Sequence, residues 1–313
     1  MNDAFMDIVT DIYSFLPRPS VATIGSFDGV HLGHCAMLAE LGNIAKSRGL
    51  PLMVVTFVRH PRLLFDGNSE PFLLSEKEEK ASLLAAAGVD ILVELDFDTH
   101  MAAMDARRFM KEILLDRLGV KVLAIGYDHH FGRPCAGEGF NDYVSYGRDL
   151  GVEVLRLSPF AVGGITVSSS AVRRALLSGD VAVATSLLGR YYTVSGKVVH
   201  CAGIGRKLGF PTANISLADE MLLLPANGVY EVVVSIGDRC YKGVMNVGVK
   251  PTVNDCRVRT AEVHIIDFSS DIYGSTISVA FIRKLRDELL FENLEALRKQ
   301  IGNDVEQVKK SAL

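Results

Sequence analysis

The hydrophobic pattern of the chain changes character near Tyr192, and this change constrains the fold more than any other feature of the sequence. Between Val21 and Leu157, short apolar runs alternate with segments of helical spacing. The runs are VATIG, LMVVTF, ILVEL, VLAIG and VEVLRL, and the helical segments cover residues 35–48, 75–87 and 105–118. Strands that alternate with helices build a parallel sheet with helices on both faces. We therefore predict an α/β domain here, with its ligands at the carboxyl ends of the strands.

Beyond Tyr192 the apolar runs become short, alternating and separated by glycine. They are YTVSGKVV, GVYEVVVSIG, RCYKGVMNVG, TAEVHIIDF and TISVAFI, a pattern that predicts a small closed antiparallel barrel. The stretch ENLEALRKQIGNDVEQVKKSA predicts a terminal amphipathic helix with Leu294, Leu297 and Ile301 on one face. Because 313 residues exceed a typical single domain, we place two domains at residues 1–185 and 186–313.

Composition narrows the range of partners. The net charge is −4 and no basic stripe is present, so we expect no nucleic-acid partner. Five cysteines without a CxxC pair favour reduced thiols over a disulfide framework or a structural zinc site. The sequence lacks a long uncharged apolar run and has acidic residues near its start, so we expect neither a signal peptide nor a membrane span. These features predict a cytoplasmic protein.

The segment GSFDGVHLGH directly follows the first predicted strand. His31 and His34 are three residues apart, so they share one face of a helix that begins near Val30 or His31, and Gly33 leaves the space between them open. A helix start at the edge of a parallel sheet is a natural phosphate site, and imidazoles add donors for charge that develops during phosphoryl transfer. Two other interpretations remain open, a metal site without an evident third ligand and an ordinary polar surface.

Two later segments also combine donors in short stretches. VSSSAVRRAL at 167–176 places hydroxyls before an arginine at a helix start, which suits a polyanion or, equally, a well-capped helix. GIGRKLGFPTANI at 203–215 contains GxGxxxG without the βαβ context of a dinucleotide site, so a glycine flap over phosphates is the alternative. On spacing alone, a turn after Pro211 is the favoured interpretation of Thr212 and Asn214, and a solvent-facing strand position that of Glu262.

The order of the motifs resembles one enzyme family. HxGH resembles the nucleotide-binding motif shared by the nucleotidyltransferase superfamily and the class I aminoacyl-tRNA synthetases. Together with TFVRHP at 56–61, GYDHHFG at 126–132 and VSSSAVRRAL, it resembles the prokaryotic bifunctional riboflavin kinase/FMN adenylyltransferase, or FAD synthetase, family. FPTAN, GVYEVVV, NVGVKPT and EVHIIDF resemble its kinase module in the expected order. The resemblance covers nearly the whole chain and implies a Rossmann-like nucleotidyltransferase domain followed by a riboflavin kinase barrel.

The resemblance also implies two successive ATP- and Mg²⁺-dependent reactions. The barrel phosphorylates riboflavin to FMN, and the α/β domain joins FMN to AMP and releases pyrophosphate. His31 and His34 are then expected to contact the ATP phosphates and to stabilise the transition state, and Asp128 to bind the flavin nucleotide. The residues expected to bind nucleotide and phosphate are Gly25, Phe27, Asp28, Gly33, Ser168, Ser169, Arg173, Gly203 and Gly205. Ser170 stands where the family usually has threonine, which keeps the hydroxyl.

For the kinase module, the resemblance implies that Thr212 and Asn214 coordinate Mg²⁺ with the ATP phosphates and that Glu262 is the base for the ribityl hydroxyl. Cys201 and Ala202 follow His200, whereas the family commonly has glycine directly after this histidine. This difference affects the stiffness and position of the glycine flap. Alternatives are a chain that retains one activity and a non-catalytic flavin-binding protein. A tRNA synthetase fragment requires a KMSKS-like loop and a basic face, and the sequence shows neither.

Overall fold

The computed structural model describes residues 6–60, 70–96, 98–126, 131, 138–200, 205, 208–251 and 257–311. The chain divides into two compact units. The first unit comprises Met1–Ser69 and Lys77–Val167, and the second comprises Glu70–Glu76 and Ser168–Leu313. A short segment from the first half of the sequence therefore belongs to the second unit.

The first unit is built on a six-stranded parallel sheet with the order β1-β4-β3-β2-β5-β6. Its strands are β1 (Asp7–Val9), β2 (Ser20–Ile24), β3 (Leu52–Phe57), β4 (Ile91–Leu95), β5 (Val120–Ile125) and β6 (Glu153–Arg156). All five predicted apolar runs form strands of this sheet, so the predicted parallel α/β architecture is confirmed. The edge strand β1 was not predicted, because its three residues are too few to establish a pattern.

Helices cover both faces of this sheet. They are α1 (Leu32–Arg48), α2 (Lys77–Ala86), α3 (Thr99–Ala102), α4 (Ala106–Phe109), which continues as a π-helical stretch (Met110–Leu115), and α5 (Phe140–Leu150). One core joins Val21 and Leu52 to Leu38 of α1. The other joins Ala22 and Met53 to Phe109 of α4. Successive strand residues point to opposite faces, which explains why neighbours in sequence enter different cores. A short hairpin of β7 (Ala161–Val162) and β8 (Ile165–Thr166) follows the sheet.

The second unit contains a closed six-stranded antiparallel barrel with the order β10-β13-β12-β11-β14-β9. Its strands are β9 (Tyr192–Val199), β10 (Ala213–Leu217), β11 (Gly228–Ile236), β12 (Arg239–Pro251), β13 (Arg257–Ile265) and β14 (Thr276–Arg286). The predicted barrel is confirmed. The strand β10 was missed, because ANISL follows Pro211 and suggested a turn.

The described part of the second unit also contains helices and one inserted segment. The helices are α6 (Ser169–Leu177), α7 (Val181–Leu188) and the terminal α8 (Leu294–Lys310). Gly179 and Asp180 lie between α6 and α7. Val305 and Val308 of α8 pack on the outside of the barrel, whereas Leu294 is 63% exposed rather than part of the packed face.

Residues 70–76 join the second unit through backbone hydrogen bonds. The amides of Phe72 and Leu73 both donate to the carbonyl of Met221 at 2.8 Å, and the amide of Leu223 donates to the carbonyl of Leu73 at 2.9 Å. Phe72 and Leu74 are buried there. Within the described residues, no helix has both the length and the apolar surface needed to cross a bilayer.

Candidate functional site

The two predicted histidines lie together where β2 passes into α1. His31 is the N-cap residue of α1, and its Nδ1 atom accepts a hydrogen bond from the amide of His34 at 3.2 Å. The two rings are stacked, with centroids 3.7 Å apart and planes inclined by 13°. His31 is buried and His34 is half-buried. A side chain that caps the helix thus also fixes one ring of the pair.

Gly33 lies between the histidines because a side chain there has no room. A Cβ atom at this position would be 3.1 Å from Nδ1 of His31 and 3.2 Å from the carbonyl oxygen of Val167. Both distances are tighter than ordinary van der Waals contact. Glycine at residue 33 therefore permits the observed position of the His31 ring.

The loop before the pair has an unusual backbone. Phe27 and Val30 have φ angles of 49° and 34°, in the region that non-glycine residues rarely adopt, and Gly29 has a φ of 79°. Phe27 and Val30 are each only 1% exposed, and the ring of Phe27 lies 4.8 Å from that of His34. Packing of the two apolar side chains holds the loop in this conformation. Asp28, between them, is also buried.

The residues predicted around VSSSAVRRAL lie on α6 of the second unit. Ser168 is the N-cap residue, and its hydroxyl accepts a hydrogen bond from the amide of Ala171 at 3.2 Å. Ser169 begins the helix. The Nε atom of Arg173 donates to the carbonyl of Phe72 at 2.7 Å, and the guanidinium lies over the Phe72 ring. The inserted segment 70–76 thus orients Arg173.

Three polar side chains form a row across the barrel. Asn214 on β10 is paired with Glu262 on β13, and Glu262 is paired with Asn246 on β12. Paired residues of antiparallel strands project from the same face, and the flanking Ala261 and Val263 are buried in the interior, so the row faces outward. Asn246 was missed by the sequence analysis. Its polar side chain within an apolar alternating run was the available signal.

A cavity of about 360 Å³ lies over Glu262 and Asn246 of this row. Its polar lining includes Thr212, Asn246 and Glu262, and its apolar wall includes Phe210 and Ile301. Because Ile301 belongs to α8, the terminal helix forms one side of the cavity. Its size and its mixed lining are typical of a small-molecule site.

An ion pair also lines this cavity. Arg286, from the end of β14, directs its Nη2 atom to Oδ2 of Asp304 on α8 at 2.8 Å, and its Nε atom is 3.2 Å from Oδ1. Both side chains line the cavity, and Asp304 is almost fully buried. This pair connects the barrel to the terminal helix.

A second cavity, of about 530 Å³, lies next to the FPTAN segment at residues 210–214. It is lined by Pro211 and Thr212 and by the stacked rings of His200 and Tyr273, whose centroids are 3.7 Å apart. Thr212 therefore lines both cavities. The carbonyl of Pro211 lies 2.8 Å from Nδ1 of His264 on β13, which holds the motif against the barrel.

Gly205, also predicted, lines the smaller cavity beside Thr212. A Cβ atom at Gly205 would lie 3.1 Å from the Thr212 hydroxyl oxygen, so glycine keeps that oxygen accessible. Asp128 and Gly203 lie outside the described residues. Within the described part of the chain, no three His, Cys, Asp or Glu side chains are grouped to hold a metal ion.

Comparison with known proteins assigns the two units to two enzyme families. Residues 15–171 match the family described as FAD synthetase, and residues 188–312 match the family described as riboflavin kinase. Proteins of Escherichia coli K12 and Pseudomonas fluorescens, both named bifunctional riboflavin kinase/FMN adenylyltransferase, are 39% identical over 303 residues, or 96% of each chain. The chain belongs to the bifunctional riboflavin kinase/FMN adenylyltransferase family.

A solved structure supports the same architecture over the whole length of this bifunctional enzyme. The crystal structure of a macrolide-efflux protein from Streptococcus pneumoniae has a TM-score of 0.87 and 29% identity, and the match covers 98% of this chain and 99% of that chain. The family predicted from the order of the motifs is confirmed by the sequence matches. The chain carries both a riboflavin kinase domain and an FAD synthetase domain, and it is a transferase of flavin-nucleotide biosynthesis.

Proposed function

We propose that residues 186–313 phosphorylate riboflavin to FMN, and that residues 1–185 adenylylate FMN to FAD and release pyrophosphate, with ATP and Mg²⁺ used in both steps. The observation that carries the kinase assignment is the position of Thr212, which lines two cavities at once beside the row of Asn214, Glu262 and Asn246. Two ligands that meet at one residue suit the transfer of a group between them.

In the kinase step, the smaller cavity takes riboflavin and the larger one takes ATP. The apolar side chains of Phe210 and Ile301 suit the isoalloxazine ring, and the carboxylate of Glu262 suits the ribityl chain. The stacked rings of His200 and Tyr273 offer a surface on which an adenine can pack. In this proposed arrangement the γ-phosphate of ATP lies beside Thr212, which lines both cavities.

The oxygen ligands near Thr212 fit a hard cation. The Thr212 hydroxyl and the Asn214 side-chain carbonyl are the donors that Mg²⁺ accepts alongside phosphates and water, and Gly205 leaves the hydroxyl accessible. Mg²⁺ supplies neutralisation of the phosphate charge when it is bound. Thr212 and Asn214 would then hold the ion.

Glu262 removes the proton from the ribityl 5′-hydroxyl as its oxygen attacks the γ-phosphorus of ATP. A new phosphorus–oxygen bond forms to riboflavin, the bond to the β,γ-bridging oxygen breaks, and ADP leaves. Asn214 and Asn246 flank Glu262 on the two neighbouring strands, and their amide groups are near enough to orient its carboxylate. The row therefore provides a base whose direction is set by its neighbours.

In the adenylylation step, an oxygen of the FMN phosphate attacks the α-phosphorus of ATP and pyrophosphate leaves. Since Nδ1 of His31 accepts the His34 amide hydrogen, the proton of the neutral His31 ring is carried by Nε2. That N–H group and the start of α1 are donors for the charge that develops on the phosphate oxygens. Gly25, Phe27 and Asp28 shape the loop that presents these donors.

The remaining site assignments stay predictions. Ser168, Ser169 and Arg173 are proposed to bind nucleotide phosphates. The hydrogen bond that the Ser168 hydroxyl accepts from the Ala171 amide is also the one that an ordinary helix cap makes. Asp128 is proposed to bind flavin nucleotide, and Gly203 to belong to the flap. A cytoplasmic location and the absence of nucleic-acid or membrane partners also remain predictions.

One assay distinguishes this function from its alternatives. The purified protein is incubated with riboflavin, ATP and Mg²⁺, and riboflavin, FMN and FAD are separated by chromatography. Successive appearance of FMN and FAD supports the proposal. Accumulation of FMN without FAD, or conversion of added FMN only, indicates a single retained activity, and flavin binding without turnover indicates a non-catalytic protein.

A further inference from the structure

A half-buried lysine is linked through one side chain to the loop that carries the histidine pair. Lys80, in the first turn of α2, donates from Nζ to the hydroxyl of Thr56 at 3.4 Å. Thr56 lies near the carboxyl end of β3 and is fully buried, and its hydroxyl donates to the carbonyl of Ser26 at 3.1 Å. A continuous chain of contacts thus runs from Lys80 through Thr56 to the backbone of the loop.

Two buried carboxylates act on the same ammonium group. Asp28 is 3% exposed and Glu94 is 2% exposed. Burial lowers the pKa of Lys80, and the negative charges of Asp28 and Glu94 oppose that effect. Lys77 lies 2.9 Å from Glu94 but is half-exposed, so Lys80 is the more deeply placed cation. A buried charge is retained only where its partners offset the cost of removing it from water.

The loop linked to Lys80 requires such support. Phe27 and Val30 hold positive φ angles of 49° and 34°, and Gly29 adopts 79°, all immediately before His31. Backbone of this kind persists only when its surroundings determine it. Phe27 and Val30 anchor the loop by burial, and Asp28 between them is a buried carboxylate. The contacts of Lys80 act on this loop.

We propose that Lys80 is a positioning residue for adenylyl transfer, which acts through Thr56 and Asp28 on the loop at residues 26–30 and thereby sets the position of His31. The proposal rests on the proposed role of His31. Lys80 acts on the loop through the Thr56 hydroxyl rather than on the reacting atoms, so its loss affects the rate by displacing the histidine.

The first test replaces Lys80 with methionine, which has a similar length but no charge. We expect Lys80→Met to lower kcat for FAD formation from FMN at least tenfold, with the KM for ATP changed less than threefold. Urea unfolding of the same sample reports whether the α/β unit that contains Lys80 is folded, and its riboflavin kinase activity reports the state of the barrel. Lys46→Met removes a lysine from the exposed last turn of α1 and is the matched control, with expected rates within twofold of the wild type.

The decisive test is a double-mutant cycle with His31→Ala. If Lys80 acts through His31, then Lys80→Met lowers kcat less than threefold further in the His31→Ala background. A full, independent effect in that background overturns the proposal, as does wild-type kcat in Lys80→Met. Wild-type kcat in His31→Ala instead rejects the proposed function, so the two failures are distinguishable.

Thr56→Val provides a second variant if Lys80→Met fails to fold. It removes the hydroxyl that joins Lys80 to the Ser26 carbonyl and keeps the shape of the side chain. We expect a severalfold lower kcat for FAD formation and unchanged kinase activity. Wild-type kcat in Thr56→Val contradicts the proposed chain of contacts.

Discussion

Glu262 on β13 is paired with Asn214 on β10, and the two side chains stand side by side on the outer face of the barrel. Asn246 on β12 flanks Glu262 on its other side. The only acidic member of this row therefore lies between two amides, next to a residue that borders both cavities. The carboxylate of Glu262 lines the smaller cavity, where a ligand can reach it.

We expect Glu262→Gln to abolish FMN formation from riboflavin and to leave FAD formation from FMN within twofold of the wild type. Glutamine keeps the shape of the side chain but does not accept the proton of the ribityl hydroxyl. The two activities are measured separately by chromatography of the flavins. Glu220→Gln, which changes an exposed carboxylate, is the control. A fully active kinase in Glu262→Gln would exclude Glu262 as the base.

We expect His31→Ala to lower FAD formation from FMN at least about tenfold, which corresponds to about 1.4 kcal/mol of transition-state stabilisation. The substitution removes the Nε2 donor and also the cap of α1. Riboflavin phosphorylation should stay nearly unchanged, because it takes place in the other domain. Steady-state rates of both reactions test this prediction, and equal loss of both contradicts independent sites.

Gly33→Ala should reduce adenylyl transfer by displacing the ring of His31. The new Cβ atom meets Nδ1 of His31 at 3.1 Å, so the ring must shift, and a misplaced catalytic group lowers the rate by about fivefold or more. Gly42→Ala on the same helix is the matched control, since nothing lies within 4 Å of its Cβ position. The control should keep full activity and gain about 1 kcal/mol of helix stability. Identical rates in the two variants would show that the contact does not constrain His31.

Asp304→Asn should destabilise the protein and raise the KM for riboflavin. The change leaves Arg286, whose side chain is 18% exposed, without its charged partner, and loss of one member of a buried pair costs about 3 kcal/mol. Because both side chains line the smaller cavity, binding should weaken as well. Asp149→Asn breaks the exposed pair with Arg107 and should cost less than about 1 kcal/mol. Urea unfolding and riboflavin KM measure the two effects, and equal unfolding free energies in both variants contradict the prediction.

Because the phenol of Tyr230 is buried, we expect the protein to lose stability at alkaline pH. Burial raises the pKa of Tyr230 to about 12 from its ordinary value of 10.0. The native state therefore keeps a proton that the unfolded chain releases, so the free energy of unfolding is unaffected below pH 10 and falls as the pH rises towards 12. A shift of this size corresponds to about 3 kcal/mol across that window.

Comparison with Tyr230→Phe isolates this effect from the other titrating groups. At pH 8 the variant should be about 1 kcal/mol less stable, because it loses the hydrogen bond to the carbonyl of Ala226. At pH 11 the difference should shrink or reverse. Urea unfolding at both pH values measures it, with Tyr191→Phe, an exposed position, as the control. A constant difference between wild type and Tyr230→Phe contradicts the prediction.

The sequence alone was sufficient for the two architectures. The interior strands β2 and β4 are buried along their entire length, and such strands are mostly apolar runs that local pattern reveals. The barrel strands have one face inside, so alternation reveals them. The position of His31 and His34 on one face also followed from spacing, because residues three apart on a helix are neighbours.

Features that depend on distant partners could not be predicted in this way. The strand β10 is a strand because β9 and β13 pair with it, and nothing in ANISL distinguishes that pairing from a turn. Asn246 joins the site only through its register with Glu262, which is set by the closure of the barrel.

The sequence by itself determined which residues form strands and helices and which chemical groups lie near their ends, because hydrophobic periodicity and spacing are local. Only the tertiary structure decided that Thr212 borders two cavities, that residues 70–76 join the second unit, and that Lys80 is linked through Thr56 to the histidine loop. These relationships depend on how segments far apart in sequence pack together. A local pattern carries no information about the identity of its packing partner.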